Sequence, residues 1–447
     1  MKHLVLSERL NRTIVTTVVA CTVGGTLAAD AAVPRPTTAP ATSVRGVPPA
    51  PPAPPGPPAA AVAPVPDVDP ALVDAYAERY AVNDAEATRR LTIQKAAIEV
   101  DEALRRRLGN RYAGIRFDND AGRLVLPAVD DLAAATVRDV AAQAGLGTGD
   151  VRVDRVARAL PALEARQATV DATLADALAA RQVTTGIDTA ANAVMVEVAA
   201  QAPAAVRSLV ATLAAAPDVE ARTVPRDALA NSANYCVYPA CDHPLRGAVV
   251  MSTASNGSCS TGYIGYTSTE WVLFGAGHCA RLREAWSAYN ASTGTWRRIG
   301  TPGPWYYNSR GDAGIWWTWR SDCGWCGSTT PIVAAWRFNE AYPIRGRGWS
   351  WQGMFACRLG ARTDNRCGTV LRTNATVTYA DGMTLGGMIE MDACSEGGDS
   401  GGPLPANYVA IGIHSGGNGC GNPVPRTFSE EVLDAEAVLG AWVHSQA

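Results

Sequence analysis

Residues 395 to 404, Ser395-Glu396-Gly397-Gly398-Asp399-Ser400-Gly401-Gly402-Pro403-Leu404 (SEGGDSGGPL), set one serine between an aspartate and a pair of glycines. Two folds can present a reactive serine this way. Gly398, Ser400 and Gly402 satisfy the G-x-S-x-G pattern of a strained strand-to-helix elbow, whose acid and histidine follow the serine in the chain. The other is a turn in an all-β domain whose histidine and acid come first. The elbow must use Asp434 and His444 downstream, with too little chain to finish its sheet and no strand-helix alternation before it. Upstream, FGAGHCA supplies His278 and RGDAGIWW supplies Asp312 just ahead of a strand-like run. Serine is a poor nucleophile at its free pKa and needs an adjacent base, which in turn needs an acid to hold its tautomer. The order His278, Asp312, Ser400 meets that need and selects the all-β reading.

At 447 residues with 47% hydrophobic side chains, the chain has room for more than one core, and a formal charge of −3 points to neither nucleic acid nor an anionic membrane. All 12 tryptophans lie from Trp271 onward and ten of the 11 cysteines from Cys236 onward, so the chain divides near residue 230. The first residues, MKHLVLSERLNRT, are basic and Thr13 to Ala29 uncharged, the layout of a secretory signal ending near Ala29-Asp30-Ala31, and export permits disulfides. VVAC, Val18 to Cys21, also fits a lipobox that would put a lipid on Cys21.

Residues 1–32 are therefore read as a signal segment and 33–69, which include VPPAPPAPPGPPAAAVAPVP, as a polyproline spacer. In residues 70–230, Ile93, Ala97, Val100, Leu104 and Leu108 share one helical face that Gly109 ends, and GIRFDNDAGRLVLPAV alternates as a hairpin. A weaker copy follows, helical over 160 to 181 and then TTGIDTAANAVMVEV, giving an α+β region of helix, hairpin, helix, hairpin. Residues 231–447 carry short β-branched and aromatic runs punctuated by glycine, then EEVLDAEAVLGAWV, which sets Val432, Leu433, Ala435, Val438, Leu439 and Trp442 near one helical face. A β-barrel domain closed by one helix is expected.

GAGHC, DAGIW and GDSGGP together resemble the three signatures of chymotrypsin-clan, trypsin-like serine proteases. NGSCSTGYIG, ACRLGARTDNRCGTV and MIEMDACSEGGDSGG resemble more closely the secreted bacterial streptogrisin and α-lytic protease branch, with Ser400 six positions after Cys394. ATRRLTIQKAAIEVDEALRRRLG and AGIRFDNDAGRLVL resemble that branch's propeptide, which assists folding and inhibits its protease until removed. Gly275, where the motif usually has threonine, and Gly397, where proline is common, are departures. The implied fold is an all-β double six-stranded β-barrel with a C-terminal helix, preceded by an α+β propeptide.

The resemblance implies a serine endopeptidase made as a zymogen, with Ser400 as nucleophile, His278 as base, Asp312 as its orienting acid, and the N–H groups of Gly398 and Ser400 as oxyanion hole. It implies an internal pair of Arg358 with Asp399, and disulfides Cys259-Cys279, Cys357-Cys367 and Cys394-Cys420. Cys236, Cys241, Cys323 and Cys326 remain, with three possible connectivities; CGWC lacks the second pair that a zinc site needs. For the specificity pocket, Asp392 resembles the basic-selective acid of trypsins, while His414, ahead of Ser415 and Gly417, resembles glutamate-selective relatives. The expected partners are peptide substrates and the chain's own propeptide, with no cofactor, metal, nucleic acid or membrane span, in a monomer. A catalytically inactive trypsin-fold binding module that uses its tryptophan-rich face is the rival.

Overall fold

The computed structural model describes residues 67–224, 245–255, 257–290, 295–318, 332–335 and 340–445. The signal, Cys21, almost all of the proline-rich stretch, Cys236, Cys241, Cys323 and Cys326 lie outside them.

The N-terminal region begins with the helix Pro70–Tyr80, which has proline in its first turn and Asp69 as cap, accepting from the Ala71 N–H at 3.0 Å. Asn83 caps the long helix Asp84–Leu108, and Gly109, at φ 51°, ends it. Two copies of one unit follow. In each, a hairpin leads through a crossover helix to a third strand that runs parallel to the second. The first is Arg116–Asp118, Arg123–Ala128, Asp131–Gln143 and Val151–Arg155, and the second is Val183–Asp188, Ala193–Ala199, Ala204–Leu213 and Val219–Val224. The helix-hairpin order is thereby corrected. A parallel strand requires a crossover, and the alanine-rich DLAAATVRDVAAQ supplies it by burying Ala133, Val137, Val140 and Ala141.

The β region is two sheet-built halves. In the first, Gly311–Trp317 pairs with Pro302–Asn308 on one side and Trp271–Gly275 on the other. The second is built from Phe355–Gly360, Asp364–Thr378, Thr384–Met391, Pro403–Ala406, Val409–Gly417 and Thr427–Glu431. The terminal helix is shorter than the sequence pattern implies. It spans Val432–Leu439, Gly440 stops it in the left-handed conformation, Val438 is exposed, and Trp442–Val443 becomes a strand against Ile264–Tyr266 of the first half.

The N-terminal region shares a core with the second half. Ile93, Val100 and Leu104 are buried in one cluster with Trp351, Met354, Val370 and Ile389. Val183–Asp188 also adds to the edge of Asp364–Thr378, Thr373 opposite Ile187 and Thr376 opposite Thr185.

Candidate active site

His278 stands on the one-turn helix Gly277–Ala280 that follows Trp271–Gly275. A Cβ on Gly275 would come within 2.7 Å of the buried Trp316 ring, so the indole fills the space that threonine would use. Asp312, fully buried on the next strand, holds the histidine at two atoms. Its Oδ1 accepts the His278 backbone N–H at 2.8 Å, and its Oδ2 lies 2.6 Å from His278 Nδ1, which fixes the proton on Nδ1 and leaves Nε2 as the free base. Ser415 Oγ donates to the same Oδ2 at 2.6 Å. Its side chain thus serves Asp312, while its carbonyl accepts from Ser400 Oγ at 3.0 Å. Among the described residues the Ser400 hydroxyl is turned to that carbonyl and makes no bond to the imidazole. Nucleophile-base contacts of this kind often close only when substrate binds.

Gly398 has φ 102°, a conformation that suits glycine, and Ser260 Oγ holds its carbonyl at 2.8 Å. The Ser260 N–H also reaches the Ser400 carbonyl at 2.7 Å, so one buried serine ties both ends of the turn. Sequence reasoning passed over Ser260; its place next to Cys259, whose disulfide to Cys279 tethers the histidine helix, was the available signal. Cys357 is bonded to Cys367 and Cys394 to Cys420. The sulfurs of Cys259 and Cys279 lie near His278 but are joined to each other, so they offer no thiolate to a metal.

Behind the turn, Arg358 Nη1 lies 3.2 Å from Asp399 Oδ2, both side chains fully buried. Burial alone would raise the Asp399 carboxyl, but the Arg358 charge and the Glu396 N–H hold it below its ordinary value. Thr363, absent from the sequence reading, adds its N–H at 2.9 Å and its hydroxyl at 2.7 Å. Arg358 also donates to the Cys394 carbonyl, at 2.8 Å from Nη2.

The residues assigned to the pocket have different partners. The Asp392 carboxylate accepts the Thr369 N–H at 2.6 Å and pairs with Arg79 of the first helix, so both its oxygens are engaged. His414 is buried. Burial foremost, and then Arg358, push its imidazole well below the ordinary range, so it is neutral, and among the described residues its Nδ1 has no hydrogen-bond partner. A Cβ on Gly417 would meet Ser395 Oγ at 2.5 Å.

Sequence reasoning also missed Glu430. Its buried carboxylate accepts the Asp312 N–H at 2.8 Å and the Tyr306 hydroxyl at 2.7 Å. Burial, helped by the nearby Asp312, pushes it up to about 8 against those two hydrogen bonds.

Residues 85–146 match the family described as "Alpha-lytic protease pro N-terminal", and residues 349–436 match "Trypsin". Serine protease 1 of Streptomyces fradiae is 30% identical over 361 residues, spanning 77% of this chain and 86% of that one. The chain belongs to the streptogrisin and α-lytic branch of trypsin-like serine proteases. Streptogrisin-C of Streptomyces griseus is 27% identical across 79% of this protease and 70% of its own length. Among solved structures, Thermobifida fusca protease A is similar over 45% of this chain and 99% of its own, at 27% identity and a TM-score of 0.39. The protein is thus a serine endopeptidase that carries a propeptide domain, and no described helix is long and apolar enough to cross a membrane.

Proposed function

We propose that the protein is an exported zymogen. In this reading residues 1–32 direct export, 33–69 are a spacer, 70–230 are a propeptide that assists folding and inhibits, and 231–447 are the protease domain, acting as a monomer. Ser400 Oγ attacks the scissile carbonyl, His278 Nε2 takes its proton and later returns it to the leaving amine, and Asp312 stabilises the imidazolium. The Gly398 and Ser400 N–H groups receive the oxyanion. One such donor is worth about 100- to 1,000-fold in rate. The observation that carries the reading is the joint hold of Asp312 on His278 and, through Ser415, on the serine loop. The buried Arg358–Asp399 pair supports a turn already set in the zymogen, without a new N-terminus to organise it. Cleavage after Val224 and before Leu245 fits the positions of both ends, since Val219–Val224 is a sheet strand and Leu245 is core. For specificity, the hold of the Thr369 N–H on Asp392, which stays when Arg79 leaves with the propeptide, supports a pocket chosen by the neutral His414, and a peptide panel should then show no preference for arginine or lysine before the cleaved bond.

The test compares the full chain with Ser400→Ala, following fragment size and labelling by a fluorophosphonate probe. The wild type should shorten to a labelled C-terminal fragment while the variant stays long and unlabelled. If neither labels and both mature alike, the inactive binding module is the better account.

A further inference from the structure

A line of charged side chains crosses from the second propeptide unit into the C-terminal barrel, away from the catalytic residues. It runs Arg222, Glu197, Arg372, Glu390, Arg426, with signs alternating. Arg222 Nε donates to Glu197 Oε1 at 2.9 Å, Arg372 Nη2 to Glu197 Oε2 at 2.8 Å, Arg372 Nε to Glu390 Oε2 at 2.8 Å, and Arg426 Nε lies 3.1 Å from Glu390 Oε1. The central three are out of water, with side-chain exposures of 2% for Glu197 and Arg372 and 0% for Glu390. The end arginines reach the surface.

The geometry around Arg372 fits a propeptide strand in detail. Gly186 lies against its stem, where a Cβ would come within 3.3 Å of Arg372 Cδ, so the strand has glycine where the arginine passes. Thr184, from the same strand, donates to the Glu197 carboxylate at 3.2 Å. Exposed ion pairs contribute little, but a buried charge that loses a partner is strongly unfavourable. If Glu197 lost its charge, Arg372 would keep one acid, Glu390, in a dry interface.

We propose that Glu197 and Arg372 form the lock by which this catalytic domain recognises its own propeptide: the barrel edge accepts an added strand only when the hairpin behind it brings a carboxylate to Arg372. Main-chain pairing supplies adhesion at the edge, and this charge supplies the selection. Once the propeptide is gone, Arg372, Glu390 and Arg426 leave the edge net positive, so a strand backed by lysine or arginine is rejected. The inference rests on the propeptide reading above.

Residue 197 is removed by maturation, so variants there yield a C-terminal fragment of unchanged sequence. The full chain, Glu197→Gln and Glu197→Ala are each allowed to self-cleave, and the time for the cleaved propeptide to leave the C-terminal fragment is followed by size exclusion. Both variants should dissociate at least tenfold faster than wild type. Dissociation within twofold of wild type overturns the lock. Where Glu197→Ala folds poorly, Glu197→Gln, which keeps the shape, gives the reading. In the uncleaved Ser400→Ala chain, a denaturant double-mutant cycle of Glu197→Gln with Arg372→Met gives a second one, independent of catalysis. Coupling of at least tenfold in the unfolding equilibrium supports the lock, and additivity rejects it. An unlabelled, uncleaved wild type would count against the protease reading alone, since the cycle still decides the lock.

Discussion

Glu430 shows how a residue without a substrate contact can matter to the chemistry. Its carboxylate holds the Asp312 N–H, and Asp312 in turn holds His278, so the position of the base depends on a buried acid two steps away. Glu430→Gln keeps the volume but turns one acceptor into a donor, which must face either the Asp312 N–H or the Tyr306 hydroxyl. Measured above about pH 8, where the Glu430 carboxyl is ionised and both its oxygens accept, the expected result is a fall in kcat/KM of about tenfold, mostly in kcat, because small displacements of a catalytic group carry costs of that order. An unchanged kcat would show that Asp312 is held well enough by its other contacts. The same side chain sets a pH dependence. With a folded value near 8 against an ordinary 4.5, the folded state binds the extra proton between those limits. Its contribution is complete below about pH 4.5 and is lost as pH rises through 8, a change on the order of a few kcal/mol. Tm measured across that range on uncleaved Ser400→Ala chains should fall more steeply when Glu430 is kept than when the chain also carries Glu430→Gln; parallel curves would remove the assignment. His278, Asp312 and Ser400 could be picked out as candidates because each sits in a short motif. Glu430 was not, since EEVLDAEAVL reads as the start of a helix and nothing local shows that its first glutamate turns inward under Asp312.

The strand Gly311–Trp317 carries Asp312 at its second position, and its first residue has a backbone requirement that a motif alone does not explain. Gly311 has φ 132°, and a Cβ there would lie 1.8 Å from Glu430 Oε2. Two separate costs therefore oppose any side chain: the backbone conformation and the collision. Gly311→Ala should destabilise the chain by about 3 kcal/mol or more and reduce kcat/KM by over 100-fold, read by urea unfolding and by peptide hydrolysis. Combining it with Glu430→Ala should recover part of the stability, because that removes the collision and leaves only the φ strain; no recovery would place the whole cost in the backbone. At this scale the long helix and the hairpins are legible because their apolar spacing is strong. The crossover helix Asp131–Gln143 is weak in pattern because alanines carry its buried face, and the parallel strand behind it has no local signature. The terminal segment misleads for another reason: Gly440 ends a helix that the apolar spacing alone would carry on to Trp442.

Across the whole molecule, the propeptide region meets the C-terminal barrel through several elements that no stretch of sequence joins. Among them are the long helix, the added strand with its charged lock, and the first helix. Tyr76 is fully buried there, its ring edge-on to Phe355 at 5.1 Å and its hydroxyl bonded to Asn119 Oδ1 at 2.8 Å. Phe355 begins the strand that also carries Cys357 and Arg358, so the helix packs on the element that supplies the internal ion pair of the serine turn. Such pairings depend on residues hundreds of positions apart, which explains why the two regions could be read separately while their contact could not. Tyr76→Ala removes most of an aromatic side chain from a packed site, a loss of about 3 kcal/mol. In the uncleaved Ser400→Ala background that loss should lower Tm by several degrees. On the proposed zymogen reading residue 76 leaves with the propeptide in the active chain, so any mature fragment should keep its kcat/KM while its amount falls severalfold. An unchanged yield together with an unchanged Tm would mean that the first helix rides on the barrel without helping to build it, and that the long helix, the added strand and its lock do the assembly without it.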